Sequence, residues 1–146
     1  MPFGLRFDLE TAYEGLKKKS LEVTHIPWRL DPSTPLDKFY EEKGYFPGLQ
    51  PGEKETEPVA DARWERRQSV AITTAFSYAD WATAQIAGVL GKEQDKADFL
   101  RRATYYRNLY NPDLKLLWPK DSAGKWIEGV DPRYTDRNYY SENNAY

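Results

Sequence analysis

The residues best placed to do chemistry lie in one short stretch, Asn138-Tyr139-Tyr140-Ser141-Glu142-Asn143-Asn144-Ala145-Tyr146. It sets a single carboxylate, Glu142, between aromatic rings and carboxamides. A carboxylic acid can hand a proton to a leaving oxygen when burial or a neighbouring carboxylate raises its pKa toward working pH. Rings and amides around it suit a sugar, whose apolar face stacks on a ring while its hydroxyls bond to amides. The same glutamate also fits a plainer role, as a carboxylate at the start of a helix that interacts with the dipole. Residue types leave both roles open.

Other chemistry is thinly represented. Five Trp and eleven Tyr against six Phe lean the composition mildly toward a sugar-lining surface, although most aromatic rings fill cores. With one histidine and no cysteine, neither a histidine metal cluster nor a conventional Ser-His-Asp triad is easily built, and the redox compartment cannot be read. His25, beside Trp28 and Arg29, reads as exposed or locally bonded. Asp131 and Asp136 stand in turn-like contexts and read as loop caps rather than as a second catalytic carboxylate. Lysines 17–19 read as a solvated helix end. The net charge of −2, with both signs interspersed, gives no basic patch for nucleic acid. No apolar run approaches the ~20 residues of a membrane span, and no signal peptide opens at Met1.

The elements that must position Glu142 are mainly helical. Asp8 through Lys19 reads as an amphipathic helix with Asp8 as N-cap and Leu9, Ala12, Tyr13 and Leu16 on one face. Thr34 caps a second helix with Pro35 at its first position, and Gly44 closes it. Residues 45–58, rich in Pro, Gly and Glu, form a surface loop. A long helix is predicted from about Ala62 to Leu90. It has two apolar rows, one through Ala71, Ala75, Tyr78, Ala82, Gln85 and Val89, the other through Ile72, Phe76, Ala79, Ile86 and Leu90. A helix with two such rows is covered on two sides. Gly91 turns the chain into a fourth helix, Gln94 to Tyr110, with Phe99, Ala103, Tyr106 and Tyr110 on one stripe, making an αα-hairpin. Residues 114–127 read as a small β-hairpin around the Asp121–Gly124 turn, carrying Trp118 and Trp126. Helical hairpins broken by aromatic-bearing loops are the pattern of an α/α toroid, with the site formed by the loops at one end. The sequence stops at Tyr146 with no helix stop signal, so it reads as a piece of a longer chain.

Several of these stretches together resemble glycoside hydrolase family 92. Phe76-Ser77-Tyr78-Ala79-Asp80-Trp81-Ala82-Thr83-Ala84-Gln85-Ile86-Ala87 with Leu90-Gly91-Lys92 is similar to the family's YAYDDWxIAQxAxxLGK segment. Phe99-Leu100-Arg101-Arg102-Ala103 also fits, and Tyr105-Tyr106-Arg107-Asn108-Leu109-Tyr110 resembles its YRNLFD. Asp121-Ser122-Ala123-Gly124-Lys125-Trp126 resembles DxDGxW, and residues 139–146 resemble YxEGNAW. Likeness runs continuously from about Ser69 to the end. Before that it is weaker, although residues 7–15 fit FDxxxAYEAL, so nearly the whole chain is covered. Three positions depart: Asn143 stands for Gly, Tyr146 for Trp, and Ala79 for the first Asp of the pair. Two of these flank the matched glutamate, which points to a divergent subfamily with altered specificity or reduced activity.

The resemblance implies an exo-acting, inverting, calcium-dependent α-mannosidase whose (α/α)6 barrel packs against a β-sandwich domain. It implies Glu142 as general acid, with Tyr140, Asn144, Tyr146 and Trp118 as sugar contacts and a glycan as substrate. The base and the calcium ligands are expected in later segments of the parent chain, so that residues 1–146, a partial barrel domain, bind no calcium and are inactive alone. An extracytoplasmic location is implied only by the resemblance. Two alternatives remain beside it: another α/α-barrel glycosidase acting on glucosides or rhamnosides, and a non-catalytic helical carbohydrate-binding or interaction module.

Overall fold

A computed structural model describes residues 8–62, 64–133 and 137–140. Helix α1, Leu9–Glu22, starts where Asp8 accepts from the Thr11 amide at 3.1 Å and the Thr11 hydroxyl at 2.6 Å. It runs one turn past the predicted end at Lys19, because Ser20, Leu21 and Glu22 contain no breaker and the Ser20 side chain is buried. The lysine run is correspondingly less solvated than expected. Lys17 pairs with Asp95 at 2.7 Å and Lys19 donates to the Thr24 carbonyl at 2.5 Å, leaving Lys18 exposed.

Helix α2, Pro35–Lys43, has both halves of a capping box. Thr34 and Asp37 bond each other's backbone amides, and Gly44 ends the helix at φ 73°, a left-handed angle that glycine adopts without a Cβ clash. Asp37 also receives His25. The His25 amide donates to Asp37 Oδ1 at 2.7 Å and ring Nδ1 lies 2.6 Å from the same oxygen. His25 is therefore a fully buried scaffold residue, bonded locally rather than exposed.

Helix α3, Ser69–Val89, begins later than the predicted Ala62. Gln68 stands in the left-handed region at φ 50° and breaks any helical run from upstream. The residues before it serve other bonds: Arg67 reaches Glu55 and the Pro47 carbonyl, and Arg66 the Ala62 carbonyl. Helix α4, Glu93–Arg102, packs back on α3 after the Gly91 turn. It ends well before the predicted Tyr110. A 3₁₀ turn over Tyr105–Leu109 follows, and its tighter winding buries Tyr105 and Leu109 where the straight helical stripe had Tyr106 and Tyr110.

The β structure is wider than predicted. Strand β1, Tyr110–Asn111, pairs antiparallel with β2, Leu116–Leu117, upstream of the predicted turn, and the Ile127 amide donates to the Pro119 carbonyl at 3.0 Å across it. A separate bridge, Lys120 to Trp126, flanks the predicted Asp121–Gly124 turn, which Asp121 Oδ1 closes by accepting the Ala123 and Lys125 amides, each at 2.9 Å.

The helices meet around one buried charge cluster. Arg102 Nε donates to Asp80 Oδ2 at 2.9 Å, and Ser20 donates to the other Asp80 oxygen at 2.5 Å. A second guanidinium nitrogen reaches Ser20 Oγ at 3.0 Å, and a third pairs with Glu41 on α2. Burial pushes the Asp80 carboxyl up, opposed by Arg102 and Ser20, while burial works against the Arg102 charge and Asp80 and Glu41 hold it on. Apolar packing surrounds this cluster, with Tyr13, Ala84, Ala87 and Phe99 on one side and Ile26, Tyr40, Phe46 and Ile72 on another. The buried face of α3 thus includes Ile72, Thr73, Ser77, Asp80, Thr83, Ala84 and Ala87. The row through Tyr78 and Val89, expected to be covered, is bare among the described residues, at 70% and 74% exposed.

Removing Asp80 strands a buried guanidinium. Asp80→Ala should cost about 3–5 kcal/mol, read as a lower urea midpoint with an unchanged slope. Asp37 gives a pH test. Burial would raise its carboxyl, but hydrogen bonds from His25 and Thr34 outweigh that and hold it well below the ordinary 3.8. A depressed folded pKa contributes stability above the unfolded value, and that stability is lost as pH falls toward the folded one. Asp37→Asn should therefore cost about 1–3 kcal/mol at neutral pH, with the gap from wild type narrowing below about pH 4.

Candidate functional site

Helix α3 opens with backbone amides that its own turns cannot satisfy, and Gln68, in its left-handed conformation, offers no side-chain cap. The chain solves this with a distant segment. The carbonyls of Arg137, Asn138 and Tyr139 accept from Gln68, Ser69 and Val70 at 3.1, 3.2 and 2.8 Å, and Tyr139 also accepts from Ala71 at 3.1 Å. The stretch that runs into Glu142 is therefore the cap of α3.

Side chains hold this segment from both flanks. Arg137 donates to the Trp64 carbonyl at 2.5 Å and lies 3.9 Å from Glu65, whose carboxylate also takes the Gln68 amide. The Tyr139 hydroxyl donates to Leu49 O at 2.7 Å, and its ring lies against Gly48. Gly48 has no room for a side chain: a Cβ there would sit 2.7 Å from Ile127 and 3.2 Å from the Tyr139 ring. The Tyr140 hydroxyl donates to Leu117 O at 2.8 Å, and burial pushes its phenol up, so it stays protonated as that donor.

Of the residues singled out in the sequence, Glu142, Asn144 and Tyr146 lie outside the described residues, as does Asp136. Tyr140 and Trp118 are both buried, and each gives its polar hydrogen to a backbone carbonyl; Trp118 Nε1 reaches Ile127 O at 2.8 Å. Asp131 is a turn cap, accepting from the Arg133 amide at 2.9 Å and from its guanidinium at 3.0 and 3.1 Å. Those bonds hold its carboxyl below the ordinary range. Among the described residues no group of three or more His, Cys, Asp or Glu could hold a metal ion.

Two clefts open at this end, one against the start of α3 and one against the capping segment. One, of about 410 Å³, is lined by Pro27, Gln68, Ala71, Ile72 and Phe76 among others. Its Gln68 and Ala71 are two of the residues whose amides hold the segment. The other, of about 440 Å³, lies between Gly52, Gly129 and Val130 and includes Asn138 and Tyr139 themselves. Two indoles, Trp28 and Trp64, meet each other before the start of α3. Trp64 is 59% exposed, and Trp28 contacts it edge-on, with centroids 5.6 Å apart. Trp64 was hidden because Ala62 onward read as helix, which made an exposed loop indole look like a surface helical residue.

The family model of the glycosyl hydrolase family 92 catalytic domain matches residues 2–146. The chain belongs to that family. No curated protein sequence matches it. Among solved structures it is similar to the family GH92 α-mannosidase BT3965 of Bacteroides thetaiotaomicron, with 30% identity, a TM-score of 0.68, and 95% of this chain covered against 15% of that one. A structure of the same mannosidase in complex with mannoimidazole gives 31% identity and a TM-score of 0.63, over 86% of this chain and 13% of that one. The GH92 inverting mannosidase BT2199 of the same organism gives 24% identity and a TM-score of 0.69, over 95% and 16%. The helical hairpins are thus part of an (α/α)6 toroid, and the chain spans 13–16% of the length of these structures.

Filling the space at Gly48 tests whether the segment is held as described. Gly48→Val should cost about 1–3 kcal/mol by overpacking. It should also raise the hydrogen-exchange rates of the Ser69 to Ala71 amides above those of mid-α3, because displacing Tyr139 uncaps the helix.

Proposed function

We propose that this chain is part of the catalytic domain of an inverting exo-α-mannosidase in which Glu142 is the general acid. The observation that carries this reading is the capping segment. In a family 92 chain, the residues that precede the glutamate are fixed to the start of α3 by four backbone hydrogen bonds. The described part of that stretch ends at Tyr140, two residues before the glutamate. A general acid needs such anchoring, because proton transfer works only over hydrogen-bond distances.

The chemistry asked of Glu142 is limited and specific. As the glycosidic bond lengthens toward an oxocarbenium-like transition state, its carboxyl gives a proton to the departing oxygen. A general acid needs surroundings that favour its protonated form, and the buried Tyr140 belongs to an apolar cluster with Tyr45, Val70, Leu109 and Ile127. Inversion requires a second carboxylate roughly 6.5–9.5 Å away, with a water between it and the sugar. That base is assigned to later parts of the parent chain, since Asp131 is committed to Arg133. Calcium is assigned there too. The described residues do not form a fit for it, and no step here depends on it. A glycan ending in α-linked mannose is the proposed substrate, and a β-sandwich domain of the parent chain the proposed partner.

Glu142→Gln in the full-length enzyme tests the role. With a poor leaving group, kcat should fall roughly 10²–10⁴-fold. With dinitrophenyl mannoside, which needs little protonation, the loss should be far smaller, and the alkaline limb of the pH profile should vanish. Equal losses on both substrates would remove Glu142 from the acid role.

A further inference from the structure

We propose that the outward face of α3, together with the groove it forms against α4, is a packing seam for a helix of the parent chain outside residues 1–146. The seam concerns how the domain is completed and does not depend on the role of Glu142.

The face is uncharged. Helix α3 has 21 residues and a single charged one, Asp80, which is buried against Arg102. Its outward positions include Ala75, Tyr78, Ala79, Trp81, Gln85 and Val89. Gln85 adds little polarity, because its amide donates to the Trp81 carbonyl of the same helix at 3.2 Å. Helices α1 and α4, by contrast, turn charged side chains such as Glu14, Lys18, Asp98 and Arg101 toward water. A helix with no charge on any outward face is one that is covered all round. Tyr78 and Val89 nonetheless stand mostly exposed among the described residues.

The groove shows what kind of neighbour fits. It has a volume of about 460 Å³ between α3, α4 and the 3₁₀ turn. Tyr78 stacks on Trp81 at 5.8 Å, and Leu100 and Tyr106 line the groove with them. Three hydroxyls also line it, but each already donates to a backbone carbonyl. Thr74 bonds to Val70 and Ala71 at 3.1 and 3.0 Å, Ser77 to Thr73 at 2.8 Å, and Thr104 to Arg101 at 2.7 Å. A sugar needs convergent polar partners and would find few free here, whereas the aliphatic side chains of a helix need none. Arg107 is exposed at the same groove. Its guanidinium lies 5.9 Å from the centre of the Tyr106 ring, and no carboxylate pairs with it among the described residues. The occupant is therefore a helix with an apolar stripe, carrying an Asp or Glu that faces Arg107.

The parent chain fits this better than a second copy does. The chain is matched over 95% of its length, yet it makes up only 15% and 16% of two structures it resembles. Helix α3 packs on α1 and α4, and its groove face meets no further helix among the described residues. A helix tethered in the same chain reaches the groove at a high effective concentration. It also avoids the loss of free translation that a second molecule incurs.

The first test uses the full-length protein and needs no variant. Hydroxyl-radical footprinting read by mass spectrometry gives the oxidation rates of Tyr78 and Trp81 in the native protein and in urea. The seam predicts native rates lower by about tenfold or more, at every protein concentration. Native rates close to the unfolded ones would overturn the proposal. Protection that disappears on dilution would make a second copy the occupant and overturn it too. The cover is then identified with a photo-cross-linker, benzoylphenylalanine in place of Tyr78, in the full-length protein. Cross-links to one helix of the same chain outside residues 1–146, with an Asp or Glu in it, are expected. Cross-links confined to residues 1–146, or running between copies, would overturn the proposal. The same probe in place of Val89, further along the face, serves if the first variant does not fold.

Discussion

Everything in this fold depends on one buried guanidinium being neutralised. Arg102 sits at the end of α4 with almost no access to water, and its charge has to be answered from other elements. Asp80 on α3, Ser20 on α1 and Glu41 on α2 answer it, so the four described helices share a polar hub rather than meeting only through apolar faces. Such a hub gives little net stability over a well-packed apolar core. What it supplies here is register. Each helix must present one particular atom to one particular nitrogen, and a slide by a turn would leave a charge bare. The hydroxyls of Thr73, Ser77 and Thr83 reinforce this economy by bonding back to their own helix at 2.8, 2.8 and 2.9 Å, so most of the polar buried face of α3 is satisfied within the helix.

With α3 fixed, its N-terminus becomes the reference point for the functional end. Gln68 in a left-handed conformation, four amides facing outward and a strand of carbonyls laid across them make one unit. The segment before Glu142 is not a loop that happens to pass by. Its peptide groups complete the helix, and its tyrosines reach opposite walls at Leu49 and Leu117. The Arg137 contact adds Trp64 to the same unit.

Local signals carried the parts of the fold that are decided locally. Asp8, the Thr34–Asp37 box and Gly44 could be read because a cap needs only a few adjacent residues. The start of α3 could not, since nothing in residues 62–68 announces that their side chains are claimed by Glu55, Pro47 and Ala62. The end of α4 was missed for a similar reason: the apolar stripe through Tyr106 and Tyr110 continues on paper, while packing rewards Tyr105 and Leu109 instead. At the site, the family likeness was legible from motif order, because motifs are local strings of residues. That Trp118 and Tyr140 would spend their polar hydrogens on backbone carbonyls was not visible, because both partners lie in other stretches of the chain. Glu142, Asn144 and Tyr146 lie outside the described residues.

The distance in sequence between α3 and its cap has a consequence for how the protein is made. Arg137 meets Trp64 across 73 residues, and Tyr139 meets Leu49 across 90. A chain emerging from the ribosome can assemble the Arg102 hub and the α3–α4 hairpin while the start of α3 is still capped by water. Closing so long a loop is entropically slow but adds only modestly to the final cost. The start of α3 thus receives its cap only after the last described residues arrive.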